Sequence, residues 1–146
     1  MLRTLKALFE DKLSALAGSA DEGHALPLAV AALLFEIARA DHTVEAPERA
    51  AICRAVSRLC AVPAEELEAL VRDADQAVDA AVSLFEFTSV VNDHFEHAQK
   101  VELVRLLWEV AHADGKIDHY EEYYVRRIAD LLHVSQRDLI RTKHGA

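Results

Sequence analysis

Apolar positions recur along this chain with helical spacing, and they nowhere alternate over the length of a strand. Leu2, Leu5, Leu8, Phe9, Leu13 and Leu16 form the first stripe, which predicts an amphipathic N-terminal helix over 1–18, ended near Gly18. Glu10 and Asp11 interrupt its basic face of Arg3, Lys6 and Lys12, so packing on a core is favoured over a membrane surface. Residues 19–23 read as a joint. Residues 24–40 are apolar on nearly all sides, the mark of a helix enclosed by others. Further helices are expected over 47–60, from about 65 to 79, over 82–91 before Asn92 and Asp93, over 96–113, over 119–133, and from Gln136 onward. Ser135 and Asp138 have capping-box spacing at the last of these. Phe35, Phe85, Phe87, Phe95 and Trp108 sit among aliphatic residues and are assigned to the core. The expected fold is all-α, with about seven helices in one compact domain over residues 1–146.

The pattern also repeats. Leu33-Leu-Phe-Glu-Ile-Ala-Arg-Ala-Asp41-His-Thr-Val-Glu45-Ala-Pro-Glu48 recurs as Leu106-Leu-Trp-Glu-Val-Ala-His-Ala-Asp114-Gly-Lys-Ile-Asp118-His-Tyr-Glu121. With one residue of slippage the match runs on from Leu59–Leu67 to Leu131–Leu139. Two units follow, over 24–79 and 82–146, each a helix, an acidic turn, a helix and a short helix. Such units are expected to pack about a pseudo-twofold axis.

Each unit carries acids at the same helix junction: Asp41, Glu45 and Glu48 in the first, Asp114, Asp118, Glu121 and Glu122 in the second. Capping chemistry accounts for all of them, since Asp118 and Glu121 have capping-box spacing and Asp114 can bond turn amides. Gly115 is placed for a left-handed helix stop, and Ile117 for anchoring the turn inward. Yet so many carboxylates around one tight turn repel one another unless a positive charge compensates. Oxygen ligands suit a hard divalent cation, Ca²⁺ or Mg²⁺, ahead of Zn²⁺, with Glu36 and Glu109 in reach as a further ligand or second layer. The spacing is not that of an EF-hand, whose loop alternates acids before its Gly and ends on a Glu. For zinc, His112 and His119 flank the second junction, while His94 and His97 straddle a helix boundary.

The run Ala-Asp-Gly-Lys-Ile-Asp before Glu121 and Glu122, following Leu-Leu-Trp-Glu-Val-Ala, resembles the signature of the TerB-like family, the tellurite-resistance TerB domain. Ser83-Leu-Phe-Glu-Phe-Thr and Arg127-Ile-Ala-Asp-Leu-Leu-His-Val-Ser fit a bacterial branch of it, and the resemblance spans roughly residues 24–142. It implies an all-helical protein with an internal repeat, an association with tellurite and stress resistance, and an acidic divalent-metal site. Carried over, that site falls on Asp114, Asp118 and Glu121 or Glu122, with Asp41, Glu45 and Glu48 as repeat partners. The first copy departs from the pattern, having His42 where the second has Gly115.

Composition narrows the function. A net charge of −9 opposes nucleic-acid binding, which needs clustered Lys and Arg. No apolar run is long enough to span a membrane, and Met1-Leu-Arg-Thr-Leu-Lys is too polar to open a secretory leader. Cys53 and Cys60 lie two turns apart on one helix, too far to bridge, and suit a reducing compartment; a cytoplasmic protein is expected. Phosphate loops, nucleophile elbows and Cys-x-x-Cys pairs are missing, so neither an enzyme nor an organic cofactor is expected. Two readings follow. One is a cation-binding accessory or scaffold in stress resistance, with a protein partner. The other is a metal-free interaction domain using its acidic face or the cluster Tyr120, Tyr123 and Tyr124; a homo-oligomer is compatible with either.

Overall fold

A computed structural model describes residues 25–40, 44–113 and 119–145. These form seven helices: α1 (Ala25–Ala38), α2 (Ala46–Leu59), α3 (Ala64–Ala80), α4 (Phe85–His94), α5 (His97–Ala111), α6 (His119–Leu131) and α7 (Gln136–Gly145). The all-α class expected from the pattern is what forms. The expected N-terminal helix, the joint at 19–23, the stop at Gly115 and the anchor at Ile117 lie outside the described residues.

α1 is the centre. Apart from Leu26 and Glu36 its residues are buried, as a sequence apolar on every side requires. Pro27 does no harm there, because a first-turn residue needs no N–H for the helix. α1 packs against α2, α3, α4, α5 and α6, while α5 packs against α1, α2, α6 and α7. Thus α2 leans on both α1 and α5, and α6 leans on both α5 and α1. The two central helices each touch both junction-borne helices.

Fully buried Phe35, Phe87 and Trp108 fill the space between layers, with Phe95 almost so. Phe85 is the exception to the assignment made above: it is half exposed. It opens α4, whose buried face is Phe87, Thr88, Val90 and Val91, and two residues' rotation turns it outward. Cys60 is buried and Cys53 partly so, both as free thiols; burial pushes the Cys60 thiol up to about 11, so it stays protonated.

Helix boundaries differ from periodicity where side chains bond the backbone. α4 starts three residues later than expected, because the Glu86 carboxylate accepts from the amides of Val82 (2.8 Å) and Ser83 (3.5 Å) and holds a turn there. It runs past Asn92, whose Nδ2 donates instead to the carbonyl of Leu131 at 3.0 Å and satisfies an orphan at the end of α6. α6 itself ends in a Schellman turn: the Val134 amide donates to Ala129 O (2.9 Å) and the His133 amide to Asp130 O (3.0 Å). His133 sits there at φ 63°, a left-handed conformation that disfavours a residue bearing a Cβ. Replacing it, His133→Gly, is expected to stabilise the fold by about 1 kcal/mol, a rise of roughly 2–4 °C in Tm. Thermal and denaturant melts check this; an unchanged or lowered midpoint contradicts the turn.

Candidate metal site at the helix junctions

The helix that follows each acidic junction, α2 in one case and α6 in the other, begins with a buried acid. Glu48 is the third residue of α2 and opens its inward stripe of Ala51, Ile52, Ala55 and Val56. Glu121 is the third residue of α6 and opens the stripe of Val125, Ile128 and Ala129. Both are 1% exposed. Helical periodicity places them on the core face, because they share the register of the apolar residues behind them.

The Glu48 carboxylate accepts the Glu45 amide at 3.0 Å, and the two residues form a capping box. Capping alone does not demand burial. α5 starts with an equivalent box, Glu96 with Gln99 (2.8 Å), and both of those residues are exposed. Seating a carboxylate inside the fold carries a desolvation penalty that a surface cap avoids. The burial of Glu48 and Glu121 is therefore in excess of what helix capping requires.

Around these acids the two junctions use opposite charges. In the first, the Arg49 guanidinium lies 6.0 Å from the centre of the Phe35 ring and 3.1 Å from Glu68 of α3. In the second, the matching position is Glu122, paired with Lys143 of α7 at 2.9 Å and with Arg126 at 3.2 Å. Lys143 Nζ lies 5.2 Å from the centre of the Trp108 ring, the counterpart of Phe35. Both halves thus set a cation over the aromatic residue of their central helix, supplied by α2 in one and by α7 in the other. Hydrogen bonds from Lys143 and then Arg126 hold the Glu122 carboxyl below the usual range.

Glu36 is half-buried, and burial raises its carboxyl, with Arg39 pulling it partly back. Arg39 also ties the end of α1 to α3, through Asp75 (3.4 Å), the Asp75 carbonyl (3.3 Å) and Asp79. Glu109 is engaged by Arg105 at 3.3 Å, within a network where Arg105 and then Arg58 bind Glu102. Of the histidines weighed for zinc, the His94 ring bonds Val90 O (2.8 Å) and His97 pairs with Asp138 (3.3 Å), while His119 stacks edge-on with Tyr120 and His112 is exposed.

Asp41, Asp114 and Asp118 lie outside the described residues. Among those described, Glu45, Glu48, Glu121 and Glu122 are placed as above, and no group of three or more His, Cys, Asp or Glu gathers to hold a metal ion. All-oxygen chemistry fits a hard cation, but the described acids supply only part of a coordination shell. The register of Glu48 and Glu121 with the apolar residues behind them is a signal for burial that the capping and ligand readings above do not use; the charge exchange at 49 and 122 lies one residue beyond the matched run.

A family model described as tellurite resistance protein TerB matches residues 27–144. No curated protein and no solved structure matches the chain.

Two outcomes follow from the bridges. Glu122→Arg alone or Lys143→Glu alone should lower stability, and the double variant, which imports the charge order of the first junction, should recover most of it. The coupling in a double-mutant cycle should be about 0.2–1 kcal/mol, as for partly exposed pairs. Glu102 and Glu122 both have depressed carboxyls in the fold, through Arg105 and Lys143 respectively. Their stabilisation is complete above the ordinary carboxylate value of about 4.3 and is lost as pH falls through their folded values. Glu102→Gln and Glu122→Gln should accordingly weaken the protein at neutral pH, the deficit shrinking on acidification; a pH series of urea melts reads it.

Proposed function

Because the chain belongs to the tellurite-resistance TerB family, we propose that it is a non-catalytic accessory or scaffold of a tellurite- and stress-resistance assembly. A divalent cation held at its acidic junctions controls the surface it offers to a protein partner. The observation that carries this reading is the paired burial of Glu48 and Glu121 at matching places, beyond what capping asks of them. Each follows a junction that carries further acids, so an ion bound there would draw on Asp41 and Glu45 in the first unit, and on Asp114, Asp118 and Glu122 in the second. Ca²⁺ or Mg²⁺ suits an all-carboxylate and carbonyl shell better than Zn²⁺ does. Free thiols at Cys53 and Cys60 agree with a reducing, cytoplasmic setting. Among the described residues no helix is long and apolar enough to cross a membrane.

A second reading, a metal-free docking domain, rests on Tyr120 and Tyr123, which are 58% and 56% exposed, beside part-buried Tyr124. Titration calorimetry of chelator-treated protein with Ca²⁺, Mg²⁺, Mn²⁺ and Zn²⁺ separates the two. The first reading expects micromolar binding of a hard cation with a raised Tm, lost on Asp114→Asn with Glu121→Gln while the helical spectrum is kept. Absence of binding by all four ions, or affinity unchanged in that variant, leaves the docking domain.

A further inference from the structure

α6 and α7 are joined by Leu132, His133, Val134 and Ser135, and nothing in the composition of that joint breaks a helix. Residues 119–144 contain neither Gly nor Pro. The turn is made instead by His133 at φ 63°, a conformation that carries a steric cost in a residue with a Cβ. The inward stripe runs straight through it. Val125, Leu132 and Leu139 are buried and seven residues apart, so an unbroken helix sets them on one face. Straightening also keeps the backbone bonded: the His133 and Val134 amides, which donate to Asp130 O and Ala129 O in the turn, exchange acceptors and make ordinary helical bonds.

α7 is lightly seated. It packs on α5, and among its described residues Leu139 and Thr142 are the buried side chains. The Thr142 hydroxyl donates to Leu139 O of its own helix (2.7 Å). Two side-chain pairs fasten the ends: Asp138 with His97 of α5 (3.3 Å) and Lys143 with Glu122 of α6 (2.9 Å). A helix of 10 residues held in this way leaves its seat at a lower cost than unfolding the core. We infer that α6 and α7 also form one continuous helix, which lays α7 on α5 of a second copy of the chain while that copy's α7 takes the vacated seat. Every contact of the seat is kept, because the incoming helix is identical to the one that left. Strain in a short joint favours such an exchange, and it is relieved at both hinges of the dimer. Loss of free motion on association opposes it, so the dimer gains with concentration. The Glu122–Lys143 pair becomes intermolecular, since 21 residues of unbroken helix set the two about 30 Å apart within one chain.

The full chain is refolded from urea over a range of protein concentrations and sized by light scattering. A dimer is expected whose share grows with concentration. His133→Gly removes the strain from the turn and weakens the unbroken helix, so it should raise the dimer dissociation constant about thirtyfold, the effect counting at both hinges. Glu122→Arg and Lys143→Glu each set like charges across the seat, and the two variants are then refolded together. In a mixed exchanged dimer one seat pairs the new Arg with the new Glu and the other restores Glu122 with Lys143. Native mass spectrometry should therefore count mixed dimers in excess of random pairing. A dimer in which each α7 stays on its own α5 pairs at random and is indifferent to His133→Gly, and either result overturns the inference. A chain that stays monomeric at every concentration overturns it as well; His133→Gly is expected to fold whether or not the charge variants do.

Discussion

Everything in this fold depends on the burial of α1. A helix whose Leu28, Val30, Leu33, Leu34, Phe35 and Ile37 are all fully buried cannot lie on a surface; it must be enclosed. Six such side chains, at about 1.5–3 kcal/mol each, outweigh any single polar interaction in the molecule. The alanines among them, Ala29, Ala31, Ala32 and Ala38, keep the helix thin enough for neighbours to approach on several sides at once. That requirement gathers α2 through α6 around one axis, and it fixes where the two junctions emerge: at the ends of α1 and of its counterpart α5.

Packing of this kind is legible in a sequence because it is written in period and polarity. The enclosed character of α1, the inward stripes of α2 and α6, and the position of Glu48 and Glu121 on those stripes all follow from residues three and four apart. Local bonds are less legible. Glu86 delays α4 by holding the amides of Val82 and Ser83, and His133 closes α6 in a left-handed turn with no glycine to announce it. Phe85 shows the limit of composition: an aromatic residue among aliphatic ones still faces outward when it falls two positions from the stripe. Of the acids singled out, Asp41, Asp114 and Asp118 lie outside the described residues, so the candidate site is known through its helix-borne members alone.

Long-range ion pairs are the least legible, because they join positions whose spacing carries no period. Arg49 with Glu68 and Glu122 with Lys143 each join consecutive helices, 19 and 21 residues apart in the chain, and only the fold brings each pair together. Both do the same work, neutralising a carboxylate while laying a cation over a buried ring, at partly exposed sites where each pair is worth about 1 kcal/mol or less. Such bridges tune the edge of the core; they do not create it. That is why opposite charges at positions 49 and 122 are compatible with the same helix placement.

Where the halves agree and where they differ divides the chemistry between them. They agree at the buried acid, at the aromatic residue of the central helix and at the leucines beneath it. The polar features they share are the acids of the junctions and the pair Glu36 and Glu109 on the central helices. They differ on their outer surfaces: α3 carries Glu65, Glu66, Glu68, Asp73, Asp75 and Asp79 with Arg72, whereas α7 carries Arg137, Arg141 and Lys143 with Asp138. A core that carries an acidic helix, α3, and a helix richer in arginine and lysine, α7, offers two different surfaces to a partner. Anything that docks on it by charge must choose a side, and it must do so without altering the core that holds both junctions in place.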